Sequence, residues 1–297
     1  MTGSRRLVLL LAAVAAVPAV LGLVVGLIFG GPVVGLLAGL VVGIALVGLA
    51  WWRAEALTVS MTGARPADPV EHARLLNLLD GLGAATGLAR PAAYVVPDEA
   101  PNALAVGRSP RSAAVLVTTG LLDQLRRVEL EGVLAHELSH IKNYDILVST
   151  LAVTMVGIIA LVSDFAIRFM WWGGGRRSNS DRDSNGAGVI IALVGFALLL
   201  LAPLIAKVMQ LAISRRRESL ADFSGVEMTR YPPGLISALE KLEADQTVVH
   251  SGSKATAHLW IEQPIARNEQ EGRMSRINRL FDTHPPLEER IAALREL

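Results

Sequence analysis

Two histidines, His136 and His140, lie four residues apart in the stretch AHELSHIKNYD (135–145), and Glu137 directly follows the first. On an α-helix this spacing places both imidazoles on one face, one turn apart, where they can bind a single metal ion. Glu137 then lies about 100° around the helix, beside the ion, and can take a proton from a metal-bound water. The pattern alone allows metal-assisted hydrolysis but does not establish it. It leaves open a second interpretation, in which two interfacial histidines flank a capping or salt-bridged glutamate.

A catalytic zinc site needs a third protein ligand, and the chain has no cysteine to supply it. Asn143 and Ile146 stand where a metzincin would have glycine and histidine, so that class is excluded. The stretch SRRRESLAD (214–222) offers Glu218 instead, with Asp222 one helical turn later on the same face. Asp222 could accept the free N–H of a liganding histidine and fix its tautomer. The alternative for Glu218 is an ion pair with a neighbouring arginine on a solvated helix.

Long uncharged runs dominate the sequence, which is 52% hydrophobic and 19% charged. Such runs indicate a membrane protein, whereas a formal net charge of +1 does not favour binding to nucleic acid. Residues 7–52 carry no charge and are roughly twice the ~20 residues that a spanning helix needs. Glycines and a proline at 30–32 favour a turn there, so we predict a hairpin of two spans, 7–29 and 33–52. The alternative for the first span is a cleaved signal peptide, since two arginines precede it.

Two further apolar runs, residues 146–172 and 187–213, predict a second membrane hairpin, joined by an exposed loop at 173–186. The first run continues the helix that carries the two histidines, and the second leads directly to Glu218. Spans joined by a short loop lie antiparallel and adjacent, so their extensions emerge side by side at one membrane face. This connectivity delivers Glu218 to the histidines and favours a catalytic metal site over a helix interface.

The polar regions read as amphipathic helices and short strands, which predicts a mainly α fold with a small β-sheet. Basic residues flanking the spans place both termini and the segment between the hairpins in the cytoplasm. The predicted organisation is an N-terminal transmembrane hairpin (1–53), the first part of a catalytic domain (54–145), a second hairpin (146–213) and the second part of the catalytic domain (214–297).

Four stretches together resemble the HtpX-like membrane zinc metalloproteases, relatives of the CAAX prenyl proteases. They occur in the order of that family: PNALAVGRSP (101–110), VLAHELSHIKNYD (133–145), SRRRESLAD (214–222) and DTHPPLEERI (282–291). The resemblance implies four transmembrane helices, a cytoplasmic zincin-like (gluzincin) catalytic domain and one Zn²⁺ per chain. The implied site residues are the zinc ligands His136, His140 and Glu218, the general base Glu137, and Asp222 supporting a liganding histidine.

The resemblance also implies substrate contacts for two other residues. Asn102 matches the edge strand along which the substrate backbone lies, and an edge strand suits that task because its free N–H and C=O groups can pair with a peptide. His284 matches a histidine that faces the scissile carbonyl and can donate a hydrogen bond to the oxyanion. The alternative for His284 is a helix start capped by Thr283. Val106 departs from the threonine common in relatives, which affects substrate preference only.

The implied protein is a multi-pass zinc endopeptidase of the plasma membrane, with its catalytic domain in the cytoplasm. Its substrates would be polypeptides, above all misfolded or damaged membrane proteins under stress, and its partners would include the lipid bilayer but no nucleic acid. A competing hypothesis is an inactive membrane scaffold whose zinc is closed by His284 as a fourth ligand. A transporter using Asp164 in a proton path is disfavoured, because the apolar spans offer almost no other polar residues.

Overall fold

The computed structural model describes residues 30–147, 150, 215–245, 247 and 286–297, together with residues 12, 15–16, 18–20, 22–23 and 26–27. The chain forms two compact units, Met1–Arg53 with Thr154–Val208 and Ala54–Val153 with Met209–Leu297. Most of the predicted third span, the fourth span, the loop at 173–186, Asp164 and His284 lie outside the described residues. The four-span topology therefore stays a prediction.

The described residues of the first unit include one helix that is long and apolar enough to cross a membrane. This helix, α1 (Pro32–Trp52), contains an 18-residue window, Pro32–Leu49, with a mean hydropathy of 2.5. It follows a tight turn in which Gly30 has a φ of 82°, and proline occupies its first turn, where a missing N–H costs nothing. The helix and the turn agree with the predicted second span and hairpin turn.

Glycines let the N-terminal residues pack closely against α1. A Cβ atom placed on Gly35, Gly39 or Gly43 would overlap the backbone of Gly22, Pro18 or Ala15, respectively. These glycines recur every four residues and therefore share one helix face. Close packing through small residues is how helices associate within lipid, where no hydrophobic drive between helices exists.

The second unit combines a small sheet with helices. Its described elements, in chain order, are α2 (Ala54–Thr62), β1 (Arg65–Pro66), α3 (Ala73–Thr86), β2 (Ala92–Val96), β3 (Ala103–Ser109), β4 (Ser112–Thr118), α4 (Thr119–Gln124), α5 (Arg127–Lys142), α6 (Arg215–Thr229), α7 (Pro232–Ala244) and α8 (Leu287–Arg295). The prediction of a mainly α fold with a small sheet is confirmed. Pro286 is the N-cap of α8 and directly precedes its first residue, Leu287.

The sheet has the strand order β1-β2-β4-β3 among the described residues, which leaves β3 at an edge. The pair β2–β4 is parallel, while β1–β2 and β3–β4 are antiparallel. Alternate residues of β3 and β4 enter two different clusters. One face, with Ala105 and Val115, joins the main core beneath α5, and the other, with Leu104 and Leu116, joins a smaller cluster.

Helix α5 is buried on nearly all sides, which explains why it shows no clear amphipathic stripe in the sequence. It begins with a capping box, in which Glu129 Oε2 accepts a hydrogen bond of 2.7 Å from the backbone N–H of Arg126. The same carboxylate accepts bonds from Ser237 Oγ and Lys241 Nζ on α7. Burial alone would raise the pKa of Glu129, but Lys241 and these hydrogen bonds outweigh burial and lower it. The network anchors α5 to α7.

Candidate metal centre and active site

His136 and His140 point toward one another from the same face of α5. Their Nε2 atoms are 3.2 Å apart, and the two rings meet edge to face with centroids 4.7 Å apart. His136 is 1% exposed, whereas the side chain of His140 is 15% exposed. His136 is therefore fully buried, and His140 is partly accessible to solvent.

Glu218 of α6 completes a three-residue cluster. Its Oε2 lies 3.6 Å from His136 Nε2, and its Oε1 lies 3.6 Å from His140 Nε2. Ligand atoms bound to one tetrahedral zinc at ordinary bond lengths lie about 3.3–3.6 Å apart, so the spacing fits a shared ion. Among the described residues, these three form the group that could hold a metal. The convergence predicted from the connectivity is confirmed, and metal binding itself stays a prediction.

A glycine allows Glu218 to come this close to the histidines. Gly225 of α6 faces α5, and a Cβ atom there would lie 3.0 Å from the backbone N of His136 and 3.2 Å from its Cα. The absence of a side chain at 225 thus sets the separation between the two helices at the metal site.

Each imidazole turns its second nitrogen toward a carboxylate. His136 Nδ1 lies 2.8 Å from Asp222 Oδ1, and His140 Nδ1 lies 3.3 Å from Asp145 Oδ2. A proton on each Nδ1 would be shared with its carboxylate, which leaves the Nε2 lone pairs directed into the cluster. The position of Asp222 agrees with its predicted role.

Asp145 is a partner that sequence reasoning missed, although it ends the motif stretch. Asp145 reaches back to the site because the chain turns at Tyr144, which has a left-handed φ of 61°. The backbone N–H of Asp145 donates to the His140 carbonyl oxygen over 2.9 Å. Arg217 Nη1 lies 3.4 Å from Asp145 Oδ1 and so links this carboxylate to α6.

Arg290 of α8 is the second missed residue, and it binds Asp222 with two hydrogen bonds. Nε donates to Oδ2 over 2.9 Å and Nη2 donates to Oδ1 over 2.6 Å, with the arginine 3% exposed. A signal for this was present in the sequence. Arg290 lies three residues after Leu287 and four before Leu294, both buried, so helical periodicity places it on the apolar face of α8.

The site holds its charges in a defined state. Burial would raise the pKa of Asp222, but Arg290 and His136 outweigh burial and hold that pKa well below its usual range. Burial would lower the pKa of His140, yet Glu218 and then Asp145 outweigh burial and raise it to about 9. Asp222 is therefore an anion, and His140 in the metal-free protein carries a proton that a metal ion would displace.

Glu137, the predicted general base, is buried at 4% exposure beside the ligand cluster. Its charge acts on both His140 and Arg290, which places it within electrostatic reach of the site. It does not belong to the three-residue ligand group, which suits a base and not a ligand.

Asn102 immediately precedes the edge strand β3 and is 1% exposed. Its backbone N–H donates to Thr118 Oγ1 over 2.8 Å, and its side-chain Oδ1 accepts from the N–H of Ala103 over 3.1 Å. These bonds fix the start of β3. A contact between Asn102 and substrate stays a prediction, as does the role of His284, which lies beyond the described residues.

A family model described as Peptidase family M48 matches residues 69–297 of the chain. The chain belongs to this family. The resemblance predicted from the four stretches is thereby confirmed. Similar curated proteins include a "Protease HtpX homolog" of Thermoanaerobacter pseudethanolicus, 42% identical over 84% of this chain and 80% of the relative. Another, from Tropheryma whipplei (strain Twist), is 45% identical over 81% of this chain and 78% of the relative.

Among solved structures, "Crystal Structure of S. mikatae Ste24p" aligns with a TM-score of 0.44 and 19% identity. The alignment covers 84% of this chain and 58% of that chain, so this chain spans little more than half its length. Membership of the M48 family and the names of the curated relatives support a metalloprotease.

Proposed function

We propose that this protein is a membrane-embedded zinc metalloendopeptidase that hydrolyses peptide bonds at the cytoplasmic membrane face. The observation that carries the proposal is the cluster of His136 Nε2, His140 Nε2 and the Glu218 carboxylate, with separations of 3.2–3.6 Å. That donor set, two imidazoles and one carboxylate, suits Zn²⁺ and leaves a coordination position open for water or substrate. Asp222 and Asp145 orient the two rings from behind.

Each residue has one task in the proposed reaction. Bound zinc would act as a Lewis acid, which polarises the scissile carbonyl and lowers the pKa of a metal-bound water. Glu137 takes the proton of the attacking water and passes it to the leaving amine. His284 would donate a hydrogen bond to the oxyanion that develops on the carbonyl.

The substrate backbone would lie along the edge of β3 that does not pair with β4. Thr118 N–H donates to the Asn102 carbonyl oxygen, so Asn102 and, by alternation, Leu104 and Val106 direct their backbone groups toward β4. Ala103 and Ala105 then direct theirs away from the sheet. The Ala103 N–H already donates to Asn102 Oδ1, so an extended peptide could pair with the Ala103 carbonyl and the backbone groups of Ala105. Strand β3 contacts α5, the helix that carries His136 and His140, which would bring the peptide to the metal.

The membrane setting of the proposal rests on α1 and on the apolar runs of the sequence. Large apolar side chains of α1 are exposed, among them Val34 at 72% and Val41 at 66%. A surface of this kind is stable in lipid and unfavourable in water. A protease anchored in this way would meet membrane proteins that are misfolded or damaged, and we propose these as its substrates in quality control.

One experiment tests the function directly. Detergent-purified protein is incubated with an unfolded polypeptide, with and without a chelator, and zinc is then restored. Cleavage that stops with the chelator and returns with zinc is the expected result. A zinc-loaded preparation that does not cleave any unfolded polypeptide would favour the inactive scaffold instead.

A further inference from the structure

Arg290 occupies an unusual position for an arginine, because its guanidinium is buried against the metal site. It is 3% exposed, and it binds both oxygens of Asp222 at 2.6 and 2.9 Å. A buried ion pair adds little net stability, since removing two charges from water costs about as much as their attraction returns. Stability alone therefore does not explain why a charged pair lies here.

The ion pair between Arg290 and Asp222 also affects the orientation of His136. Asp222 Oδ1 is the atom that Arg290 Nη2 binds and also the atom that lies 2.8 Å from His136 Nδ1. Nη2 itself is 3.4 Å from Nδ1. Both nitrogens are donors when Nδ1 carries its proton, so each can only donate to the oxygen between them. The guanidinium thus holds Asp222 in the orientation in which it accepts the Nδ1 proton.

This arrangement sets the tautomer of His136. With the proton on Nδ1, the lone pair lies on Nε2, which points at His140 and Glu218. Without the two bonds from Arg290, the carboxyl group of Asp222 could rotate about its side-chain bond. The Nδ1 proton would then lose its fixed acceptor.

We infer that Arg290 is a positioning residue of the metal centre, which acts through Asp222 to orient His136 for metal binding. The last helix of the chain, α8, is then a structural part of the metal site although it supplies no ligand. The inference rests on the proposed function. A planar fork of donors is what the task requires, because lysine offers a charge without two parallel bonds.

Three variants test the inference through zinc affinity, measured by chelator competition in the full-length protein. Arg290→Met removes the charge and the fork, whereas Arg290→Lys keeps the charge and removes the fork. Arg295→Met is the matched control, because Arg295 lies on the same helix in an exposed pair with Glu240. We expect both Arg290 variants to weaken zinc binding by about 10- to 100-fold and the control to leave it unchanged.

A double-mutant cycle separates this role from general packing. Asp222→Asn should weaken zinc binding as Arg290→Met does, and the double variant should be little worse than either single one, because both break the same chain of bonds. Cobalt in place of zinc adds a spectroscopic readout, since its visible bands report the ligand geometry. We expect those bands to shift in both Arg290 variants and not in the control.

Other outcomes would overturn the inference. Wild-type zinc affinity in a folded Arg290→Met or Arg290→Lys protein would do so, and so would strictly additive losses in the cycle. Arg290→Lys retains charge and length, so it keeps the test available where the methionine variant does not fold. Zinc binding is measured without substrate, so an absence of proteolysis in the parent protein would refute the proposed function and leave this result standing.

Discussion

The Nε2 atoms of His136 and His140 face each other across 3.2 Å. With both Nδ1 atoms directed at carboxylates, the facing nitrogens would present two lone pairs to one another, which repel unless a cation lies between them. In the metal-free state a proton on His140 relieves that repulsion, in line with its raised pKa. The site is therefore arranged around a positive charge that only a proton or a metal ion can supply.

Glu137→Gln should abolish cleavage while zinc content and fold are retained. Glutamine has nearly the same shape as glutamate but cannot accept the proton of the attacking water, and such a loss costs about 10²- to 10⁴-fold in rate. The measurement is kcat/KM on an unfolded polypeptide, together with zinc content after dialysis. Glu227→Gln, at an exposed position on α6, is the control. Full-rate proteolysis by a pure preparation of Glu137→Gln would rule out its role as base.

Glu218→Gln should weaken zinc binding itself, because a neutral amide replaces the anionic ligand. The loss is expected to be larger than that of any residue behind the ligands, so above about 10- to 100-fold. Chelator competition gives the dissociation constant, and the metal-free melting temperature reports the fold. Zinc bound as tightly as in the parent protein would show that this carboxylate is not a ligand.

Gly225→Ala should separate α5 from α6 at the metal site. The new Cβ would lie 3.0 Å from the backbone N of His136, so the helices must shift, at a cost of about 1–3 kcal/mol in the free energy of unfolding. Zinc affinity should fall in the same variant because Glu218 moves with its helix. Gly81→Ala is the matched control, since a Cβ on Gly81 meets no atom within 4 Å and alanine favours the helix by up to about 1 kcal/mol. Equal behaviour of the two variants would contradict the close approach.

Zinc affinity should rise with pH up to about 9. Burial lowers the pKa of His140, but Glu218, Asp145 and Glu137 outweigh it and raise that pKa from 6.5 to about 9 in the metal-free protein. Zinc must displace this proton, so its affinity should rise by about tenfold per pH unit below the pKa. Isothermal titration at several pH values measures the slope.

The stability of the metal-free protein should show the opposite dependence. A raised histidine pKa contributes stability that is complete below 6.5 and is lost as the pH rises through about 9. Melting temperatures in the presence of a chelator measure this loss. Asp145→Asn removes one of the carboxylates that raise the pKa, so it should move the upper limit to lower pH. For the zinc prediction, an affinity that does not change between pH 6.5 and 9 would contradict the raised pKa of His140.

The predicted elements of the catalytic unit were readable because their signals are local. Leucines at helical spacing predict α3, and β-branched runs bounded by turns predict β2 and β4. The two-residue strand β1 was missed because one of its residues is Pro66 and it has no periodicity to detect. A strand this short exists only through its pairing with β2.

The candidate site also contains residues that the sequence predicts and residues that it does not. The residue types and the i, i+4 spacing of His136 and His140 determine the chemistry, and the order of the apolar runs predicts which carboxylate joins them. The contacts of Asp145 and Arg290 depend on how a turn and a distant helix pack, and Arg290 meets His136 across 154 residues of sequence. The local spacing of residues indicates which chemistry their side chains can perform. Only the tertiary structure decides which distant side chain contacts that residue. The reason is that helices pack by the shape and burial of their faces, and no local sequence pattern records which two faces pack together.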